Sequence, residues 1–281
     1  MSFWGSKKTA VPPRPPVTAP PIPRSGPEID ATTIISLLAV LALLGGAYAA
    51  SLRALPRTAT SKTRILFIWH LFDALVHFCF EGSFLWNCFF VTYSLPTSFS
   101  AASRHYPLVT LFTPPDVYWL GRRDLLYGAN YGTGPLSRLW QEYAKADKRW
   151  GGVDLTVVTL ELLTVFVAGP LALFIAYLLT KDARKGGLKK YFWMIVLATA
   201  EIYGGTRLAC WMTFAPEWFT GSPNLDTSNW MYLYLYLIFF NGLWLVFPAW
   251  ILVEAYRALD AGMSQAEMVD LVAYLKVGKA E

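Results

Sequence analysis

The chain has 281 residues, of which 55% are hydrophobic, 16% aromatic and only 15% charged. A soluble domain carries about a quarter charged residues, so the composition excludes that class and points to a membrane protein. The net charge of +5 is not a nucleic-acid signature, because Lys and Arg gather at the ends of apolar stretches instead of interleaving with aromatics on one face.

Residues 1–30 form the first segment. Within it, 11–27 are proline-rich (Val11-Pro12-Pro13-Arg14-Pro15-Pro16) and read as a disordered polyproline spacer with no cleavable signal. Spans of about 20 or more apolar residues then recur at about 31–52, 65–93, 153–180, 191–214 and 230–256. Lipid excludes an open sheet as the spanning element. The expected fold is therefore all-α and polytopic, with five transmembrane helices enclosing an intramembrane cavity. Gly45-Gly46 in the first span is read as a close helix contact.

The loop after the first span holds Arg53, Arg57, Lys62 and Arg64, and the loop after the third holds Lys181, Arg184, Lys185, Lys189 and Lys190. Loop 215–229 has Glu217 and Asp226 but no Lys or Arg. The positive-inside rule puts both basic loops and the C-terminal tail 258–281 in the cytoplasm, and the N-terminus opposite, against the pull of Lys7, Lys8, Arg14 and Arg24. Cys79, Cys88 and Cys210 all fall in expected spans and suggest neither a disulfide framework nor a metal cluster. No redox cofactor or metal is implied.

The second span carries the sharpest signal. His70, Asp73, His77 and Glu81 are spaced i, i+3, i+7 and i+11, within roughly 80° on a helix. Their neighbours Leu71, Phe72, Leu75, Val76, Phe78 and Phe80 are apolar. Such a stripe cannot face lipid, so it must face protein or a wet cavity. The third span holds Glu161 near its middle, with Thr164 one turn on and Asp154 at its edge. The fourth holds Glu201, Tyr203, Thr206 and Arg207, where a Glu201–Arg207 pair is the plainer expectation. In the fifth, Asn241 and Trp244 share a face ahead of Pro248, which could kink the helix. Asn241 is as readily interhelical glue as a site residue.

Carboxyls, imidazole, amide and indole converging at membrane depth suit acid–base chemistry on a greasy substrate. A desolvated carboxyl can hold a proton for donation, imidazole can relay it, and an indole face can stabilise a cation. The same groups would also serve proton-coupled transport or binding of a cationic amphiphile.

Several stretches together resemble the emopamil-binding protein family of sterol Δ8–Δ7 isomerases, in the EXPERA superfamily. They are His77-Phe78-Cys79-Phe80-Glu81-Gly82, Leu139-Trp140-Gln141-Glu142-Tyr143-Ala144-Lys145-Ala146-Asp147, Glu161-Leu162-Leu163-Thr164, Gly169-Pro170-Leu171, Ile202-Tyr203-Gly204 and Phe240-Asn241-Gly242-Leu243-Trp244. They cover about 65–257. The resemblance implies a five-span enzyme of the endoplasmic reticulum that moves a sterol 8(9) double bond to 7(8) through a cation at carbon 8. It casts Glu81 as donor to carbon 9, assisted by Asn241. His77 takes the carbon 7 proton or shares that task with Glu81 through a relay, Glu161 balances the cation and Trp244 stacks near it.

Thr164, Tyr203, Trp69 and Asp73 are the expected substrate-lining residues. His70 and Asp73 do not match the family's essential positions, so a packing or supporting role competes for both. Glu142, Lys145, Asp147 and Arg149 are expected to organise a surface loop through ion pairs, and His105 to be solvated. The expected partner is a sterol or related polycyclic lipid, with no nucleic acid. Proteins of this kind can pair through membrane helices, so a homodimer is a candidate state.

Two departures from the family stand out: a long insertion at about 90–138, and Glu201 where a neutral amide is more usual. Three functions stay open. One is a sterol isomerase, the second the same chemistry on a non-sterol terpenoid, and the third a non-enzymatic amphiphile binder like the sigma-two receptor.

Overall fold

The computed structural model describes residues 29–95, 113, 117–185, 187–202 and 215–277. The first helix, α1 (Ala31–Ala54), starts at Asp30, whose side chain accepts from the Thr33 amide while the Thr33 hydroxyl faces back to the Asp30 amide. Of its 24 residues, only Thr33, Ala47 and Ser51 are buried. Ile35, Leu38 and Leu41 are more than half exposed, which in this chain means a face for lipid.

Helix α2 (Ser61–Val76) runs without a break through a π-turn (His77–Glu81) into α3 (Gly82–Phe90). The same happens in α5 (Leu155–Leu163), a π-turn (Thr164–Ala168) and α6 (Gly169–Lys185). Helix α7 (Lys189–Glu201) follows, and then, after the short α8 (Ala215–Thr220), a π-helical stretch (Met231–Phe240) leads into α9 (Asn241–Val277). Among the described residues four helices are long and apolar enough to cross a membrane: Ala31–Ala54, Ser61–Phe90, Leu155–Lys181 and Met231–Asp270. The second half of the expected span 191–214 lies outside the described residues.

Helix α2 packs on α1 and α6, and α7 packs on α6 and α9. Ala47, Ala172 and Ala255 sit at these contacts beside Ile175, Leu179, Leu197 and Ile251, all essentially inaccessible. Small residues let backbones approach, which in lipid replaces a hydrophobic drive to associate. Gly45 and Gly46 do not serve this purpose, since a Cβ at either would meet nothing within 4 Å. Among the described residues the expected contact there is not made.

Helix α9 runs through residues 258–277, the described part of the expected C-terminal tail, where Ala, Leu and Met residues favour a helix. Pro248 lies inside that helix without ending it. One further difference from the sequence reading has a physical cause. The protein is mostly helical but not all-α: β1 (Thr92–Ser94) pairs antiparallel with β2 (Leu125–Tyr127), Tyr93 opposite Leu126. Three-residue strands are too short to leave a periodic signal.

This ribbon and the amphipathic helix α4 (Pro135–Tyr143) brace the end of α3. The insertion is thus partly structured. Trp119 donates its indole N–H to the Cys88 carbonyl at 2.8 Å, and its ring packs on Phe89. Gly128 closes the arrangement with φ +128°, and a Cβ there would lie 2.6 Å from Gly152 Cα. Gly128→Ala combines left-handed strain with a backbone clash and should cost about 1–3 kcal/mol. Thermal unfolding in nanodiscs would read this as a clearly lower midpoint, whereas an unchanged midpoint would mean that the ribbon is not fixed there.

Candidate active site

A cavity of ≈ 340 Å³ lies among α1, the α2–α3 helix, α4, the α5–α6 helix, α7 and the start of α9. Its wall is mainly apolar, with Phe72, Val76, Phe80, Leu160, Leu171 and Phe240 among its residues, and it carries the side chains of His77, Glu81, Glu161, Thr164, Glu201, Asn241 and Trp244. All five expected catalytic residues therefore border one space, as does Thr164.

The polar groups form a chain centred on His77. Its Nδ1 is 2.5 Å from Glu81 Oε2, and its Nε2 is 3.2 Å from Asp73 Oδ1. Both partners lie four residues away on the same helix, one before and one after. The π-turn sits between His77 and Glu81, and extra-residue turns of this kind recur at functional sites. Glu81 also accepts the Thr164 hydroxyl at 2.5 Å, and the same hydroxyl lies 3.2 Å from Glu161 Oε2, linking the two carboxyls. On the other side Asp73 accepts the Trp244 indole N–H at 2.8 Å, and its carboxyl comes within 4.8 Å of that of Glu201. The order across the site is Glu161, Glu81, His77, Asp73, Glu201. Carboxyls this close in a dry site do not ionise together, so each pair holds a proton.

The two π-turns that carry His77, Glu81 and Thr164 lie against each other. Gly169 permits this, since a Cβ there would lie 3.2 Å from His77 Cβ and 3.1 Å from the Phe78 ring. Asp73, His77 and Glu201 bring donor atoms within 4.8 Å of one another, close enough to share protons.

Other expected residues are placed differently. Asp73 is wholly buried behind His77 and does not border the cavity. Trp69 does not border it either: its ring stacks on Phe247 at 4.3 Å and leans on Trp244 from behind. Its apolar ring is better buried in the helix core, so it props the cavity wall without forming it. Tyr203 lies outside the described residues, as do Thr206, Arg207 and His105. His70 sets its Nδ1 2.6 Å from the Leu66 carbonyl one turn back, within the helix core. Asn241 donates its amide to Leu237 O, Tyr236 O and Tyr143 Oη, at 2.8, 3.1 and 3.3 Å, instead of to Glu81. It stitches the end of the π-helical stretch, where backbone carbonyls are left over.

The loop acids form the expected ion pairs, Glu142 with Lys145 and Asp147 with Arg149, yet Glu142 and Asp147 also border the cavity. Glu142 accepts from Tyr236 Oη and Thr33 Oγ1, tying α4 to α1 and to the helix that leads into α9. Burial opposes the charge on Lys145, but its bond to Glu142 outweighs this and keeps the ammonium above its ordinary pKa. Burial pushes the Asp147 carboxyl up, only partly offset by the Arg149 guanidinium. None of the described residues between 90 and 138 borders the cavity. The sequence reading missed Asp73 and Glu201 as a linked pair. The available signal for Asp73 was its place four residues before His77, mirroring Glu81 four residues after; the spacing carried none for Glu201.

Residues 135–255 match the family model described as EXPERA (EXPanded EBP superfamily). Mouse 3-beta-hydroxysteroid-Delta(8),Delta(7)-isomerase is 30% identical over 131 residues, 46% of this chain and 52% of that protein. A protoglabretal synthase from Ailanthus altissima is 30% identical over 147 residues, 51% of this chain and 60% of that protein. A probable 3-beta-hydroxysteroid-Delta(8),Delta(7)-isomerase from Oryza sativa subsp. japonica is 24% identical over 239 residues, 85% of this chain and 83% of that protein. The chain spans about half the length of the mouse protein.

Arg149→Ala leaves the buried Asp147 without its fork of hydrogen bonds at 2.9 and 2.6 Å. The expected loss of stability is about 3–5 kcal/mol at neutral pH. With its carboxyl pushed up, folded Asp147 binds a proton more readily than the unfolded chain does. The deficit should therefore shrink as the pH falls through the acid range and grow as it rises. Unfolding midpoints at several pH values would check this, and a deficit that widens in acid would contradict the assignment.

Proposed function

We propose, from the EXPERA domain over residues 135–255, that the chain is a membrane-embedded isomerase of the endoplasmic reticulum that moves a sterol 8(9) double bond to 7(8). The observation that carries this is the run Glu161–Glu81–His77–Asp73–Glu201 opening onto an apolar cavity. Relatives named as 3-beta-hydroxysteroid-Delta(8),Delta(7)-isomerases support the substrate class. In this reading five helices span the membrane and enclose the chamber.

In the reaction, Glu81 gives a proton to carbon 9, forming the C–H bond and leaving a cation at carbon 8. The cation faces a site rich in carboxyls and the indole face of Trp244, which stabilises positive charge without adding a nucleophile. The carbon 7 C–H bond then breaks, its electrons form the new double bond, and the proton returns to the Glu81–His77 pair. No proton is gained or lost overall. Both ring nitrogens of His77 face carboxyl groups, which favours the relay form of the mechanism. Glu81 meets the substrate and His77 moves the proton behind it. Asn241 then acts by holding the wall near Tyr143, not by assisting the donor.

The same chemistry on a non-sterol terpenoid is the second reading. Two observations favour it: the Glu201 carboxyl on the cavity wall, and a relative named as a protoglabretal synthase.

Expression in cells lacking their own sterol isomerase should convert 8(9)-unsaturated sterol to the 7(8) isomer, with deuterium entering carbon 9 in heavy water. Persistent 8(9)-sterol beside folded protein would reject the sterol reading. Glu81→Gln should lower turnover about 10²–10⁴-fold, the usual worth of a general acid, while a cationic amine still binds. Full activity in that variant would remove Glu81 as donor.

A further inference from the structure

We infer that Asp73 is a positioning residue that keeps His77 Nε2 protonated throughout the cycle, so that His77 exchanges protons only through Nδ1, toward Glu81. This rests on the isomerase reading for its purpose, but on geometry alone for its content.

Asp73 cannot touch substrate. It is fully buried, does not border the cavity and acts only through its neighbours. One neighbour, the Trp244 indole, is a donor and nothing else, and it fixes Asp73 Oδ1 as an acceptor at 2.8 Å. The Asp73 and Glu201 carboxyls bring oxygens within 4.8 Å of one another, and two carboxyls that close in a dry site hold one proton between them instead of ionising together. With the indole N–H already directed at Asp73, that proton belongs on Glu201 and the negative charge on Asp73.

His77 Nε2 stands 3.2 Å from that charge. A lone pair on Nε2 would face a carboxylate oxygen across a dry contact, whereas an N–H would face an acceptor. The side chains of His77 and Asp73 are 3% and 0% exposed, so no bulk water relieves the first arrangement. His77 Nε2 and Asp73 Oδ2 are also buried polar atoms that lack a well-aligned hydrogen bond. A small adjustment about a protonated Nε2 serves both at once.

The groups facing His77 are Asp73 and Glu81 on its own helix, Glu161 and Thr164 on the α5–α6 helix, Glu201 on α7, and Asn241 and Trp244 on the helix around α9. None is a cation, so nothing among them favours a bare Nε2. A carboxylate behind an imidazole sets the tautomer in this way in other proton-relay sites. Here the result is a one-way device. The nitrogen that faces the proton donor is the only one left to titrate, and the Glu201 carboxyl lies beyond the relay.

The test is nitrogen NMR of the full chain labelled with ¹⁵N-histidine, in nanodiscs, with His77→Gln used to assign the signal. The expected wild-type spectrum has His77 Nε2 protonated at every pH where the fold persists, and Nδ1 either bare or exchanging. In Asp73→Asn the amide can donate to Nε2, so the proton should shift to Nδ1. Its kcat should then fall about 10³-fold or more, as a reversed tautomer does elsewhere, with KM and cationic-amine binding within about threefold. Glu201→Gln retains a donor to Asp73 and should keep the wild-type ring signal. A bare Nε2 in the wild type, an unchanged ring signal in Asp73→Asn, or amine binding lost together with turnover would overturn the inference. If Asp73→Asn fails to fold, the wild-type and Glu201→Gln spectra decide. A chain that shows the expected ring signal but isomerises no sterol would sink the sterol reading and leave the positioning role of Asp73 intact.

Discussion

One imidazole held between two carboxyl groups of its own helix, deep in an apolar span, is the constraint around which this protein is arranged. Charges and unpaired polar groups at membrane depth are costly, so His77, Asp73 and Glu81 cannot exist there singly. Each must be satisfied by another group, and the partners come from other helices: Thr164 and Glu161 on one side, Trp244 and Glu201 on the other. The polar chain thereby fixes the relative depth of four helices. Helix packing and the pairing of these polar groups are one structural feature here.

The π-turns follow from the same constraint. A turn with an extra residue loosens the regular backbone pattern and redirects the side chains beside it. Two such turns meet at the site, with Gly169 allowing the close approach, and a third precedes Asn241, which hydrogen-bonds two of its carbonyls. Outside the polar chain, packing is by small and aliphatic side chains, with a broad lipid-facing surface on α1. The buried Glu142–Lys145 and Asp147–Arg149 pairs add a polar floor beneath the cavity that is tied to α1 and to the helix leading into α9.

Much of this was legible in the residues. A stripe of ionisable groups on an oily helix has to face inward, so His77, Glu81 and Glu161 stood out as a group. Asn241 and Trp244 are also on the cavity wall, but the amide of Asn241 is committed to backbone carbonyls and Tyr143, which no spacing rule reveals. Trp69 looked like a lining residue because it adjoins the stripe, yet stacking on Phe247 turns it into support. Glu201 suggested a local pair with Arg207, whereas its carboxyl approaches Asp73 across the space between α7 and α2.

The sequence alone determined that long apolar helices would form and that certain polar side chains could not be turned to lipid, because both follow from transfer free energies local to each segment. It could not determine which carboxyl meets which nitrogen, since that depends on helix depth and rotation and on π-turns that break the 3.6-residue period. Those are set only when the helices pack, and packing alone made Asp73 a pivot behind the cavity instead of part of its wall.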